Sequence, residues 1–179
     1  MSYLERNSKF LALILRHRPE KGNVVLDEHG WCIVEDLVKN ANFKLNDILE
    51  IVKTDNKSRY ELSTDSKKIR AVQGHSKNLN VDVQLEKCIP PSILYHGTKE
   101  DVKMEIAKKG LLPMNRQHVH LTTDIKVAKE TADRRKGKSI IMEIDACQMA
   151  AKNYKFYKAA NGVWLTYEIP ACFIRILGE

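Results

Sequence analysis

Apolar residues recur at helical spacing at the start of the chain. Leu4, Leu11 and Leu15 fall along one side of a helix predicted over residues 4–17, and Pro19 ends it, because proline cannot donate a backbone hydrogen bond into a helix. The next residues, 23–41, predict a short strand, a turn at "DEHG" and a second strand.

Two further helices and a hairpin complete the pattern of the first half. One helix is predicted to begin near Val34, and a third spans residues 46–55 with Asn46 as its N-cap. In the following segment Tyr60 and Leu62 alternate with polar residues, which predicts a two-stranded hairpin. Three helices and a two-stranded wing are the outline of a winged helix, a module that binds nucleic acid or serves as a plain interaction domain.

The second half alternates strands with helices. The pair Pro90-Pro91 marks the boundary, so we predict lobes at residues 1–88 and 89–179 in an α+β protein. We expect a mixed sheet flanked by short helices. The predicted strands are "SILYHGT", "HVHLTT", "SIIMEIDA", "YKFY", "GVWLT" and "CFIRIL"; the predicted helices are "KEDVKMEIAKKG", which ends at Gly110, and "DIKVAKETADRRKG", capped by Asp124.

Composition excludes several classes of protein. No apolar run approaches the ~20 residues that a bilayer span needs, and the N-terminus lacks a signal-peptide pattern, so we predict a cytoplasmic protein that does not bind a membrane. The net charge of +7 is compatible with a polyanionic partner.

The four cysteines are far apart, and we expect buried thiols with no disulfide and no metal site. Nothing indicates a coiled coil, and we expect a monomer.

The segment "LRHRP" places three basic residues where the first helix ends. Lysine, arginine and histidine are favoured in a last helical turn, because the terminal carbonyls carry partial negative charge. A helix end of this kind therefore explains Arg16, His17 and Arg18 without any site. The rest of the chain has to decide between these explanations.

Seven strings, in order and in register, carry a family resemblance. They are "LRHRP", "DEHGW", "SRYEL", "IRAVQGHS", "LYHGT", "GLLPMNRQHVHLTT" and "NGVWLT". With them the chain resembles, over nearly its whole length, the RNA 2′-phosphotransferases of the Tpt1/KptA family. The resemblance implies an N-terminal winged-helix RNA-binding lobe and a C-terminal ADP-ribosyltransferase-like lobe that binds NAD.

The same resemblance implies a reaction. NAD is consumed as co-substrate, without a metal, to remove an internal 2′-phosphate from RNA of the kind left at a tRNA splice junction. The phosphate first displaces nicotinamide, which gives an ADP-ribosylated 2′-phospho-RNA. A ribose hydroxyl then attacks the phosphorus, and the products are ADP-ribose 1″,2″-cyclic phosphate and RNA with a free 2′-hydroxyl.

The resemblance also implies the site residues. The catalytic set falls on Arg16, His17, Arg59 and Arg116, and three guanidinium groups suit a phosphate with nearly two negative charges. The positions carried over for NAD are His96, Gly97, Thr98, His120, Thr122 and Val163. A secondary RNA contact is predicted at Arg70, Gln73, His75 and Ser76.

Alternatives remain open at this point. His17 can donate a proton to the leaving oxygen or hydrogen-bond to the phosphate. The helix after Asp124 ends "RRKG" where the family frequently has Arg-His-Gly, so the contacts there are undefined. An ADP-ribosyltransferase acting on terminal phosphates of nucleic acid would use the same NAD lobe, and a non-enzymatic nucleic-acid binder would need only the winged helix.

Overall fold

The computed structural model describes residues 2–178 and divides into two compact units. Unit 1 is Met1–Gln84 and unit 2 is Leu85–Glu179. The division precedes the predicted boundary at 88/89, because Glu86 and Lys87 pair with a strand of unit 2. Helices and antiparallel sheets make up both units, consistent with the α+β class.

Unit 1 packs three helices and a small sheet around one apolar core. Its elements are α1 (Tyr3–Arg16), β1 (Cys32–Ile33), α2 (Val34–Asn40), α3 (Leu45–Thr54), β2 (Tyr60–Leu62) and β3 (Lys68–Ala71). The sheet order is β1-β3-β2, and both ladders are antiparallel. The three predicted helices and the hairpin are therefore confirmed.

Local chemistry fixes both ends of α1. Ser2 and Glu5 form a capping box, in which each side chain accepts a backbone N–H of the other residue. The helix buries Leu11, Ile14 and Leu15, and it ends at Arg16. The side chains of Arg16 and His17 therefore leave the helix at a fixed position.

Two predictions in unit 1 are wrong. Residues 23–26 form no strand: Val24 and Val25 alternate between buried and exposed as in a strand, but no neighbouring strand pairs with them among the described residues. Helix α3 begins at Leu45 with Lys44 at its N-cap position, so Asn46 lies inside the first turn. Hydrophobic packing of Ile48 and Ile51 sets the start of this helix, and no side chain caps it.

Unit 2 contains two antiparallel sheets with three short α-helices. The elements are β4 (Glu86–Lys87), β5 (Ile93–Lys99), α4 (Lys103–Lys109), β6 (Val119–Leu121), α5 (Ile125–Asp133), β7 (Ser139–Asp145), α6 (Ala146–Ala151), β8 (Phe156–Lys158), β9 (Trp164–Thr166) and β10 (Ile174–Ile176). The sheets run β10-β7-β5 and β4-β8-β9-β6. The expected mixed sheet is wrong, since every ladder among the described residues is antiparallel.

Most predicted elements of unit 2 are present. Asp124 caps α5 by accepting the backbone N–H of Lys126, and Gly110 ends α4 with a positive φ of 75°. Helix α6 was not predicted, because its six residues carry no helical periodicity; Asp145 caps it by accepting the N–H of Gln148.

The cysteines differ in burial. Cys32 is buried as predicted, and burial raises the pKa of its thiol to about 12. Cys147 and Cys172 are exposed, so the prediction that all four are buried is wrong; Cys147 lies within α6, and Cys172 lies in the 3-10 helix Ala171–Phe173. No helix within residues 2–178 is both long and apolar enough to cross a membrane.

Candidate active-site residues

The loop after β3 holds the end of α1. The backbone N–H of Ser76 donates to the carbonyl of Arg16 at 2.8 Å, and the Ser76 hydroxyl is hydrogen-bonded to Nδ1 of His17 at 2.8 Å. Gly74, with φ 89°, lies against the Arg16 side chain: a Cβ built on it would be 3.6 Å from Cζ of the guanidinium. Arg16, His17 and Ser76 thus form one connected cluster.

His75 lies behind this cluster. Its side chain is 1% exposed, and neither ring nitrogen has a hydrogen-bond partner within the described part of the chain. Burial, together with the charges of Arg16, His17 and Arg70, lowers the pKa of His75 to about 4. The ring is therefore neutral near pH 7 and inaccessible to RNA, although a direct RNA contact was predicted for it.

Asp55 positions Arg59. Its carboxylate accepts the backbone N–H of Arg59 at 2.5 Å and forms an ion pair with the same residue's guanidinium. The Asp55 side chain is 3% exposed, whereas that of Arg59 is 31% exposed, so the pair has one buried and one accessible partner. Asp55 is not among the predicted site residues; its one signal in the sequence is an acid four residues before Arg59, immediately after a helix.

Arg16 and Arg59 both act electrostatically on the hydroxyl of Tyr60. Burial raises the pKa of the Tyr60 hydroxyl, which donates to the carbonyl of Ser8 at 2.9 Å, while the charges of Arg16 and Arg59 both act to lower the same pKa. Both guanidinium groups are therefore near one side chain of unit 1. The carboxylate of Asp55, which pairs with Arg59, acts on the same hydroxyl in the opposite direction and raises its pKa.

The predicted secondary RNA contacts have mixed positions. Arg70 interacts with two residues of unit 1: its Nε donates to Glu61 at 3.0 Å, and its guanidinium carbon lies 4.5 Å from the ring centre of Trp31. Gln73 is half-buried in the loop before Gly74. Ser76 is hydrogen-bonded to the Arg16 carbonyl and to the His17 ring, so its side chain can hold His17 in position.

In unit 2, strands β5 and β6 bring two of the predicted histidines together. Nδ1 of His96 donates to the carbonyl of His120 at 2.9 Å, since a carbonyl can only accept. Desolvation lowers the pKa of His96 and outweighs this hydrogen bond, and the charges of Arg116 and Arg135 lower it further. The neutral ring then carries its lone pair on Nε2, which can accept a hydrogen bond from a hydroxyl.

Two more predicted residues lie beside these histidines. The backbones of Tyr95 and Thr122 exchange hydrogen bonds of 2.7 and 3.0 Å, which joins β5 to β6. The Thr122 hydroxyl accepts the N–H of Asp124 at 3.1 Å and so helps to start α5. Val163 lies one position beyond the Leu121–Trp164 pair in the register, which places its backbone alongside Thr122.

Gly97 has a packing role that the sequence did not indicate. A Cβ on this residue would lie 1.8 Å from the carbonyl oxygen of Ala128 and 3.2 Å from Cβ of Ala132, both in α5. Only glycine therefore lets α5 lie this close to β5. The next residue, Thr98, is half-buried on the same strand and pairs with Ile140.

Arg116 belongs to a group of three arginines. Partial desolvation lowers the pKa of Arg116, and the positive charges of Arg134 and Arg135 lower it further. The Arg116 residue is exposed, so the guanidinium remains protonated at any physiological pH. Mutual repulsion among these three cations favours the binding of an anion. Arg134 and Arg135, in "RRKG", are not among the predicted site residues.

The basic loop that carries Arg134 and Arg135 is fixed by a buried lysine. Lys99 is 6% exposed, and its ammonium group donates to the carbonyl of Gly137 and to the hydroxyl of Ser139, each at 2.8 Å. These bonds join β5 to the residues that follow α5. Within residues 2–178, no group of three histidine, cysteine, aspartate or glutamate side chains is arranged to hold a metal ion.

Comparison with known proteins decides the family. A model described as RNA 2′-phosphotransferase, Tpt1 / KptA family, matches residues 3–168. This chain belongs to that family. The match includes the positions of Arg16, His17, Arg59 and Arg116.

Relatives in the family cover nearly the whole chain. A probable RNA 2′-phosphotransferase of Fusobacterium nucleatum is 47% identical, over 93% of this chain and 95% of its own length. Proteins of the same description from Pseudomonas fluorescens and Hahella chejuensis are 44% and 42% identical; each alignment covers 97% of this chain, and 97% and 95% of the respective relative.

Proposed function

We propose that this protein is an NAD-dependent RNA 2′-phosphotransferase that removes an internal 2′-phosphate, with RNA of the tRNA splice-junction type as substrate. Unit 1 acts as a winged-helix RNA-binding lobe, and unit 2 acts as an ADP-ribosyltransferase-like lobe that binds NAD. The observation that carries the proposal is the family match over residues 3–168, which spans all four predicted catalytic residues.

The residues of unit 2 fit a dinucleotide. Nε2 of His96 offers an acceptor for a ribose hydroxyl, because Nδ1 is committed to the His120 carbonyl. The cations Arg116, Arg134 and Arg135 suit the negative charge of a diphosphate. NAD supplies the ribose carbon that accepts the phosphate; its nicotinamide leaves as a neutral group.

The residues of unit 1 fit the phosphate. Arg16 and Arg59 provide planar donors for a dianionic phosphomonoester, and Asp55 limits the motion of the second of them. Their positive charge matches the charge on the non-bridging oxygens while the phosphorus is attacked. Arg116, in unit 2, is the third arginine of the predicted catalytic set.

His17 is suited to moving a proton. In the second step the P–O bond to the RNA 2′-oxygen breaks, and that oxygen takes up a proton while the attacking hydroxyl loses one. The Ser76 hydroxyl can donate to a neutral Nδ1 or accept from a protonated one, so the 2.8 Å contact persists in both states of the ring. His17 can therefore donate from Nε2 without changing its orientation.

Product analysis tests the proposal. The protein is incubated with a 2′-phosphorylated oligoribonucleotide, with and without NAD, and the products are identified by mass spectrometry. We expect 2′-hydroxyl RNA, nicotinamide and ADP-ribose 1″,2″-cyclic phosphate only when NAD is present. Absence of these products at high enzyme concentration overturns the proposal.

Variants test the roles of the arginines. We expect Arg59→Ala and Arg116→Ala to slow the second step more than the first, so that ADP-ribosylated RNA accumulates, and Arg6→Ala, an exposed arginine of α1, to behave as the wild type. Normal turnover by Arg59→Ala or Arg116→Ala removes that residue from the catalytic set.

A further inference from the structure

Three aromatic side chains gather on the surface of unit 2. The ring centres of His118 and Tyr167 are 5.0 Å apart, those of Tyr157 and Tyr167 are 5.7 Å apart, and those of His118 and Tyr157 are 5.9 Å apart. The hydroxyls of the two tyrosines are 3.4 Å from each other. Tyr167 is 53% exposed, so this aromatic cluster is not part of the core.

The sheet register places the cluster on the face that carries His120. Tyr157 pairs with Leu165, and Leu165 pairs with His120, so these three side chains point to one side of the sheet β4-β8-β9-β6. Tyr167 follows the last residue of β9 and His118 precedes the first residue of β6, and the ring contacts of both with Tyr157 place them on that side. The cluster continues from a predicted nucleotide-site residue towards solvent.

Positive charge flanks the cluster. Lys87 pairs directly with Tyr157 and lies on the same side of the sheet, whereas its neighbour Glu86 points to the other side. Arg116 precedes His118 by two residues in the chain. Aromatic rings combined with cations that can approach a phosphate backbone are the two components of a site for single-stranded nucleic acid.

We propose that His118, Tyr157 and Tyr167 form a stacking platform for an unpaired nucleobase of the RNA substrate. The proposal rests on the proposed function and adds where the RNA strand lies on unit 2. Stacking requires an unpaired base, because the π-face of a paired base is covered by its neighbours in a helix. The platform therefore favours 2′-phosphates in single-stranded segments over those in duplexes.

Direct binding measurements test the platform. Fluorescence anisotropy gives the affinity for a labelled single-stranded oligoribonucleotide with an internal 2′-phosphate, and a 2-aminopurine base beside that phosphate reports stacking by quenching. We expect Tyr167→Ala to weaken binding about tenfold and to reduce the quenching, whereas Tyr167→Phe retains both. Tyr3→Ala is the matched control, because Tyr3 in unit 1 is 51% exposed, and it should leave both readouts unchanged.

Several results would overturn the platform. Wild-type RNA affinity in Tyr167→Ala excludes stacking, and equal losses in Tyr167→Phe and Tyr167→Ala assign the effect to the hydroxyl. A rise in KM for NAD equal to the rise in KM for RNA assigns the cluster to the dinucleotide. Retained RNA affinity together with loss of a protein partner assigns it to a protein interface.

The proposed function is judged separately. If the wild type binds the oligonucleotide but forms no ADP-ribose cyclic phosphate, the proposed reaction fails while the binding series still decides the platform. Far-ultraviolet circular dichroism of each variant excludes loss of folding as the cause of a weaker affinity.

Discussion

Gly97→Ala tests whether the glycine of the His-Gly-Thr segment is required by packing. The new Cβ would lie 1.8 Å from the backbone carbonyl oxygen of Ala128. That carbonyl would have to retreat by roughly 1.5 Å to reach an ordinary van der Waals contact. Since a backbone atom cannot move aside as a flexible side chain can, α5 must shift as a unit away from β5.

The expected cost is large for a single methyl group. Overpacking a well-packed site costs about 1–3 kcal/mol, and a clash with helix backbone belongs at or above the upper end of that range. We expect Gly97→Ala to lower the free energy of unfolding of unit 2 by about 3 kcal/mol or more.

Gly22→Ala is the matched control. Gly22 also lacks a positive φ, but its added Cβ meets Cδ1 of Ile14 at 2.7 Å, the flexible end of a side chain. A rotamer change relieves that contact, so we expect a loss of about 1 kcal/mol. Urea unfolding monitored by circular dichroism measures both variants. Equal losses in the two variants, or a stable Gly97→Ala protein with normal NAD binding, would refute the packing explanation.

Three further predictions follow from unit 1. Asp55→Asn should slow the second step about tenfold with accumulation of ADP-ribosylated RNA, because Arg59 loses its charged partner. Ser76→Ala should lower kcat about tenfold and move the acidic limb of the pH–rate profile, because Nδ1 of His17 loses its hydrogen bond, and Ser76→Thr should restore both. The pKa of His75 is about 4 in the folded chain and about 6.5 in the unfolded chain, so the unfolded chain binds the proton first as the pH falls. The free energy of unfolding should therefore decrease below about pH 6.5, by about 3 kcal/mol at pH 4. His75→Leu should remove this pH dependence.

Matched substitutions outside the cluster serve as controls for these predictions. Asp65→Asn and Ser63→Ala change residues that hydrogen-bond to each other in the turn between β2 and β3, and His29→Leu changes a half-buried histidine that is hydrogen-bonded to the carbonyl of Asp82. A normal second step in Asp55→Asn, a pH–rate profile of Ser76→Ala that matches the wild type, or an unchanged pH slope in His75→Leu would each contradict the corresponding argument.

The sequence predicted elements where one local signal dominates. Helix α5 has an aspartate cap and an apolar stripe, and the hairpin at Tyr60 has strict alternation, so both were found. Helix α6 is too short to show a period, and residues 23–26 have strand-like side chains without a strand to pair with. Pairing depends on contacts distant in sequence, which also explains why two antiparallel sheets were not foreseen.

The candidate site divides in the same way. Family strings identified Arg16, His17, Arg59 and Arg116 by position, but they did not indicate which neighbours hold these side chains. Asp55 and the hydroxyl of Ser76 have that role because the chain folds back on itself, and no local pattern encodes such a contact. His75 shows the reverse: a polar residue beside the site faces the interior.

Lys99 gives the protein an internal reporter of its own unfolding. Its amine is committed to Gly137 and Ser139 and shielded from solvent, whereas most other lysines of the chain are exposed. An amine-reactive reagent should therefore modify Lys99 slowly in the native state and rapidly once unit 2 opens. Peptide mapping of this one position would follow the opening of unit 2 independently of unit 1, in a mixture and without a spectroscopic probe.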